Sequence, residues 1–112
     1  MEIVDNNTKG RYAVIFTAKQ TNELTGYAEA SKLLREKLEG FPGFIGIEAV
    51  ENNDGDEITV SYWENVDAIR RWNMDEDHKT IRTKNKEKWY ANFKVRIALI
   101  EREYTMQDTL RK

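Results

Sequence analysis

The feature that most restricts the fold is a polar loop between two segments of strand-type sequence. The loop, Asn52–Asp56 (NNDGD), contains an Asp-Gly pair. The flanking segments, Phe44–Glu51 and Glu57–Trp63, are rich in β-branched and aromatic residues. Because an Asp-Gly pair between such segments favours a tight reversal, the sequence predicts an antiparallel β-hairpin near the middle of the chain.

The chain before this hairpin changes from a strand-type to a helix-type pattern. Tyr12–Lys19 (YAVIFTAK) is β-branched and aromatic, which predicts a strand. Thr25–Glu39 carries apolar residues at three- and four-residue spacing, which predicts a helix. Gly40 is expected to end this helix in a left-handed conformation, and Pro42 opposes its continuation.

After the hairpin, the pattern changes from helix-type to strand-type sequence. A second helix is predicted directly after Asn65, whose side chain can cap it. Its buried stripe is predicted to consist of Val66, Ile69 and Trp72. A charged helix is expected around Asp77–Lys86, and Tyr90–Tyr104 alternates apolar with polar residues over a long final strand.

The resulting order, β-α-β-β-α(α)-β, is that of a split βαβ domain. It predicts an α+β, ferredoxin-like fold over residues 11–105, with an antiparallel sheet and helices on one face. Residues 1–10 and 106–112 are expected to be tails, the first of them flexible. The helix-free face is expected to carry Ile15, Ile47, Trp63 and Ile100. Because such a face needs a cover, we expect a homodimer that closes into an α+β barrel.

Composition narrows the class of protein. The 112 residues suit one domain, and a net charge of −2 argues against a nucleic-acid binder. The absence of cysteine excludes disulfides, thiolate nucleophiles and zinc-thiolate sites. Since no apolar run approaches the roughly 20 residues of a membrane span, we expect a cytoplasmic protein that does not contact membranes.

Three blocks of the sequence carry a family resemblance: GFPGFIGIEAV, ITVSYWENVDAIRRW and KEKWYANFKVRIALIEREY. Over Tyr12–Tyr104 the chain resembles the antibiotic biosynthesis monooxygenase (ABM) family, and more narrowly its small bacterial proteins with a terminal WY…R…ER segment. The resemblance implies a dimer with a pocket between sheet and helices of one subunit. It also implies one of three chemistries: cofactor-free oxidation of aromatics such as anthrones, haem degradation, or oxidation or transfer of signalling quinones.

Haem is the disfavoured member of this set, and we expect no cofactor and no metal. In haem-degrading relatives the axial histidine follows the matching tryptophan by ten residues, a position held here by Arg82. The single histidine, His78, follows Trp72 by only six residues, and the first strand lacks the relatives' asparagine. We interpret His78 as a solvated surface residue. We interpret Asp75–Asp77 as an acidic helix start rather than as metal ligands, because consecutive helical residues point in different directions.

The candidate ligand-contacting residues are Trp72, Tyr62, Arg82 and Tyr90. Trp72 matches the pocket tryptophan of the family, although its helical spacing also suits a core residue. The other three can donate hydrogen bonds to an oxyanion. Instead of contacting a ligand, Tyr90 could pack with Trp89 at a corner between loop and strand. Tyr62 and Trp63 point to opposite faces of one strand, and alternation does not determine which faces the helices.

Two functions remain open from the sequence. The leading one is a cofactor-independent monooxygenase acting on a small aromatic or quinone-like compound, favoured by the aromatic residues around the expected pocket. The alternative is a non-catalytic module of the same fold that binds a small molecule or serves a stress response. Support for the alternative comes from the carboxylates. They fall mostly in solvent-exposed stretches of the sequence, which leaves the expected pocket without a general base.

Overall fold

A computed structural model of the protein describes residues 11–75, 78–79 and 88–110. Its strands and helices are β1 (Tyr12–Gln20), α1 (Tyr27–Glu39), β2 (Phe44–Glu51), β3 (Asp56–Trp63), α2 (Val66–Met74), β4 (Tyr90–Leu99) and α3 (Met106–Leu110). The order confirms the predicted β-α-β-β-α-β pattern. A short exposed helix, α3, occupies part of the predicted C-terminal tail. Of the helix predicted around Asp77–Lys86, only His78 and Lys79 are described, and both are helical.

The four strands form one antiparallel sheet in the order β2-β3-β1-β4. This is the predicted α+β, ferredoxin-like fold. Its register places Val14 of β1 opposite Ser61 of β3 and Ile97 of β4. Because residues directly opposite one another point to the same face, the register assigns each strand residue to the helix side or to the helix-free side.

The hairpin between β2 and β3 is held by the side chain of Asn52. Its Oδ1 accepts hydrogen bonds from the amides of Asp54, at 3.0 Å, and Asp56, at 2.9 Å. Gly55 lies in the left-handed region at φ +88°, a conformation that glycine adopts without steric cost. The Asp-Gly signal therefore predicted the hairpin correctly, because the loop is stabilised by residues within itself.

Of the two predicted helix caps, the one at the start of α2 is observed and the one at the end of α1 is not. The cap of α2 is confirmed, since Asn65 Oδ1 accepts from the Ala68 amide at 2.8 Å. The predicted left-handed cap at Gly40 is wrong, because Gly40 has φ −104°. The last turn of α1 tightens instead, and the Phe41 amide donates to the Leu38 carbonyl at 2.9 Å. The left-handed residue comes later, at Gly43, with φ +91°.

The core lies between the sheet and α1 and α2. It consists of Leu38, Trp63, Ala68, Ile69 and Trp72, with Ile47 packed against it. Trp63 and Ile47 therefore lie on the helix side, and their predicted place on the helix-free face is wrong. Ile15 does point to the helix-free face, opposite Val60. Ile100 follows the end of β4, where its amide donates to the Arg11 carbonyl at 2.9 Å.

The edge strand β4 is shorter than predicted and only partly covered. It ends at Leu99 rather than near Tyr104. Its helix-side residues Phe93, Val95, Ile97 and Leu99 are 40% to 53% exposed, because α1 and α2 pack over the β2–β3 half of the sheet. The β4 half of this face is consequently open. Within the described ranges, no helix is both long enough and apolar enough to cross a bilayer.

Candidate active site

A cleft of about 1120 Å³ lies between the sheet and the two larger helices. Phe16 and Val95 contribute to its floor, Leu34 lies on its α1 wall, and Trp72 lies on its α2 wall. The lining is largely apolar and aromatic, with polar side chains at a few positions, which is the usual character of a small-molecule site. Its location agrees with the pocket between sheet and helices that the family resemblance implies.

One end of the cleft, called here the tryptophan end, is formed by Trp63, Trp72 and His78. Trp72 is 8% exposed and packs edge-on against Phe41, with 5.2 Å between ring centroids. Trp72 is thus a core residue that also lines the cleft. The two interpretations of Trp72 hold together, because one part of its indole is packed and another part reaches the cavity.

The indole N–H of Trp72 differs from those of the other two tryptophans. Trp63 Nε1 donates to Ser61 Oγ at 2.9 Å, and Trp89 Nε1 donates to the Thr25 carbonyl at 3.0 Å. No acceptor for Trp72 Nε1 occurs among the described residues. Every buried side-chain nitrogen or oxygen of these residues has a hydrogen-bond partner, so Trp72 Nε1, which has none among them, is not buried. The Trp72 N–H is therefore accessible, and it can donate to a ligand.

His78 lies in the cleft wall and not on the solvated surface, so the interpretation of His78 as a surface residue is wrong. Its ring stacks on Trp72 with 4.6 Å between centroids and 18° between planes. Its Nδ1 is 3.1 Å from the Trp72 carbonyl oxygen, which can only accept, so Nδ1 carries a proton. The chain turns back towards the cleft after α2 ends at Met74, and the side chain of the cap residue Asp75 accepts from the His78 amide at 3.2 Å.

The other end of the cleft, called here the glutamate end, is built around Glu57. This side chain is only 7% exposed and lies at the start of β3. Its Oε1 accepts from the Tyr27 hydroxyl at 2.7 Å and from Gln20 Nε2 at 3.0 Å. Its Oε2 accepts from Thr59 Oγ1 at 3.0 Å. The Tyr90 hydroxyl lies 3.5 Å from Oε1.

Aromatic packing holds the two tyrosines of this end in place. Tyr27 stacks on Trp89 with 5.5 Å between centroids, and Tyr90 packs edge-on against Phe16 at 5.3 Å. Burial, followed by hydrogen bonding to Glu57, raises the pKa of Tyr27 above its ordinary value. Burial, followed by the charge of Glu57, raises the pKa of Tyr90. Both hydroxyls are therefore neutral at ordinary pH.

Comparison with known proteins identifies the family. The profile of the antibiotic biosynthesis monooxygenase family matches residues 14–84, more than half of the chain. The chain belongs to the ABM family. Glu57, Trp63 and Trp72 lie within the matched region, whereas Tyr90 lies beyond it.

Relatives of known sequence and structure agree with this assignment. The chain is 37% identical over 97 residues to the uncharacterized protein YqjZ of Bacillus subtilis strain 168, covering 87% of this chain and 85% of YqjZ. SnoaB, a cofactor-independent oxygenase from Streptomyces nogalater, has a TM-score of 0.70 at 11% identity, covering 87% of this chain and 97% of SnoaB. Rv0793 from Mycobacterium tuberculosis has a TM-score of 0.73 at 11% identity, covering 85% and 99%. At these identities, the two structures establish a shared ABM fold.

The structure brings two of the four candidate residues to the cleft. Trp72 and Tyr90 line it at opposite ends. Tyr62 does not line it, because its neighbour Trp63 occupies the helix side and Tyr62 points to the helix-free face, where its hydroxyl donates to Glu48. There, burial and Glu48 raise the pKa of Tyr62 to about 12. The fourth candidate, Arg82, lies outside the described residues.

The glutamate end of the ABM cleft was not predicted from the sequence. Glu57 shares a strand face with Thr59 and Trp63, so it must point towards the helices once Trp63 does. This two-residue alternation is the signal that could have placed Glu57 in the cleft, but it can be used only once the face of Trp63 is known. In the described part of the chain, no group of three or more His, Asp and Glu side chains is arranged to hold a metal ion.

Proposed function

We propose that this ABM-family protein is a monooxygenase that oxidises a small aromatic or quinone-like compound in the cleft, using molecular oxygen and no cofactor. The observation that carries the proposal is the pairing of an accessible Trp72 N–H with a buried carboxylate, Glu57, in one aromatic cleft. Trp63 and Glu57 are six residues apart on β3, roughly 20 Å along the strand. The cleft therefore suits a fused, planar compound held by ring contacts along its length.

The two ends can divide the chemistry of such an oxidation between them. A substrate with an acidic C–H conjugated to a carbonyl loses that proton to Glu57, whose Oε2 accepts only one of the hydrogen bonds described above. The negative charge is delocalised along the conjugated rings of an extended substrate to a carbonyl oxygen at the far end, where the Trp72 N–H can stabilise it. Glu57 supplies the general base whose absence favoured the non-catalytic alternative in the sequence analysis.

Oxygen then completes the reaction with balanced atoms and electrons. The substrate carbanion transfers one electron to O₂, and the resulting substrate radical and superoxide combine to form a C–O bond. The peroxide takes up a proton, its O–O bond breaks, and the carbon loses its second hydrogen as a proton. One oxygen atom remains on the carbon as a carbonyl, and the other leaves as water. SnoaB, which shares the fold, is described as a cofactor-independent oxygenase.

Oxygen uptake with a panel of anthrones and hydroquinones tests this proposal. We expect saturable consumption above the uncatalysed rate. Trp72→Phe, which keeps an aromatic ring but removes the N–H donor, should lower kcat on the order of a hundred-fold. Tyr62→Phe removes a donor on the opposite face of the sheet and should leave kcat unchanged. Near-ultraviolet circular dichroism of each variant separates lost chemistry from lost packing.

Either of two results would count against the oxygenase. One is saturable binding of panel compounds without oxygen uptake, which would support the non-catalytic binding module instead. The other is turnover that Trp72→Phe leaves unchanged while the variant remains folded, which would remove the N–H from the mechanism.

We also propose that two copies pack through their helix-free faces. Ile15, Ile58 and Val60 share this face, and Ile58 is 53% exposed in a single copy. Face-to-face packing would remove this apolar surface from water. Support comes from the central position of these residues on β1 and β3, the two inner strands of the sheet.

Light scattering at micromolar concentration should give a mass about twice the 13.2 kDa of one chain. Ile58→Lys should shift the mass towards one copy, because a charge buried at the interface is costly. Leu33→Lys is the matched control: Leu33 is 57% exposed but lies on α1, away from the helix-free face. A wild-type mass of 13.2 kDa would contradict the dimer.

A further inference from the structure

Glu57 is a buried carboxylate whose hydrogen-bond donors among the described residues are all neutral groups. It is 7% exposed, and its close hydrogen-bond donors are the Tyr27 hydroxyl, the Thr59 hydroxyl and the Gln20 amide, while the Tyr90 hydroxyl lies 3.5 Å away. The ion pairs seen among the described residues involve other carboxylates, those of Asp56, Asp67 and Asp75. Buried carboxylates are usually paired with a cation, because burial disfavours an uncompensated charge. In the described part of the chain, therefore, neutral donors and no cation face the Glu57 carboxylate.

Two of the donors at the glutamate end, Tyr27 and Gln20, already donate to carboxylates. Tyr27 gives its single hydroxyl hydrogen to Oε1. The Gln20 amide nitrogen donates to Glu57 at 3.0 Å and to Glu51 at 2.9 Å. A hydroxyl whose hydrogen is already used presents only oxygen lone pairs to a ligand. Apart from the Tyr90 hydroxyl, the described groups at this end of the cleft therefore offer a ligand acceptors rather than donors.

The aromatic surroundings act in the same direction. The rings of Phe16, Tyr27, Trp89 and Tyr90 all line the cleft near Glu57. The faces of aromatic rings carry partial negative charge, so they attract cations and the positive edges of polar groups. Carboxylate, hydroxyl oxygens and ring faces together make this end favourable for positive charge and unfavourable for an anion.

We infer that the glutamate end, formed by Gln20, Tyr27, Glu57 and Tyr90, binds a protonated amine or a hydroxyl group of an aromatic ligand, and that this end of the cleft rejects carboxylates. The inference rests on the proposed use of the cleft as the ligand site, but not on oxidation. It also orients the substrate: an amine or hydroxyl group lies at Glu57, and the oxygen that gains charge lies at the tryptophan end.

Calorimetric titration at neutral pH with three ligands of equal ring size tests the inference: 2-naphthylmethylamine, 2-naphthol and 2-naphthoate. Wild-type protein should bind the amine about tenfold or more tightly than the carboxylate, with the naphthol between them. Glu57→Gln keeps the shape of the side chain and removes its charge, so the amine and the carboxylate should then bind within a few-fold of each other. Glu48→Gln removes one charge from the helix-free face and should keep the wild-type ranking.

The inference is overturned if wild-type protein binds 2-naphthoate as tightly as the amine, or if folded Glu57→Gln retains the full preference. The wild-type ranking does not depend on any variant, so it decides the matter even where Glu57→Gln fails to fold. Because these ligands are followed by binding heat, the result is independent of oxygen uptake. A preference for the amine without oxygen uptake would support this inference and contradict the proposed oxygenase. Oxygen uptake without a preference for the amine would support the oxygenase and contradict this inference.

Discussion

Replacing Trp63 with alanine is expected to lower the free energy of unfolding by about 3–5 kcal/mol. Trp63 is 1% exposed and has the largest fully buried side chain among the described residues. Its ring packs edge-on against Phe44 at 5.4 Å and Phe41 at 6.2 Å, and lies 6.4 Å from Trp72. Truncation removes these contacts and leaves a cavity that the two helices and the sheet can close only by moving towards each other.

Chemical denaturation monitored by circular dichroism measures this loss directly. Leu33→Ala provides the control, because Leu33 is 57% exposed on α1 and its truncation should change stability by no more than about 0.5 kcal/mol. A loss below about 1 kcal/mol for Trp63→Ala would mean that Trp63 is not packed as described. That result would also restore the alternative in which Tyr62, rather than Trp63, faces the helices.

The order of strands and helices was predictable because it depends on neighbours in sequence. The Asn52–Asp56 hairpin and the Asn65 cap are stabilised within a few residues of themselves. The faces of the strands were not predictable in the same way. Alternation relates one residue to the next, but only the packed helices decide which face is inside. In β2, an irregular register between Phe44 and Gly46 also shifts the alternation that would have placed Ile47.

The candidate site likewise contains one residue that could be predicted from the sequence and others that could not. Trp72 could be proposed from its helical spacing and from the family resemblance, and it does line the cleft. Glu57 could not, because a carboxylate at the start of a strand usually faces water. Its donors Gln20, Tyr27 and Tyr90 are 37, 30 and 33 residues away in sequence. Only the completed sheet, with α1 folded over it, brings these groups to one carboxylate.

Replacing Gly43 with alanine is expected to cost at least about 2 kcal/mol of unfolding free energy, through two separate effects. Gly43 has φ +91°, a conformation that strains any residue with a Cβ atom. A Cβ at this position would also overlap the Cβ of Ala68, which is fully buried on α2. Gly40→Ala is the matched control, because Gly40 has φ −104° and a Cβ there meets nothing within 4 Å.

A double-mutant cycle with Ala68→Gly separates the two effects on stability. Ala68→Gly removes the atom that a Cβ at position 43 would strike, so it should recover the overlap component and leave the backbone component. A coupling energy of about 1 kcal/mol or more is therefore expected between the two substitutions. The Gly43 carbonyl also accepts from the Glu64 amide at 2.8 Å, which holds the start of β2 against the end of β3. Strict additivity would mean that α2 does not approach this turn, and the packing that places Trp72 in the cleft would have to be revised.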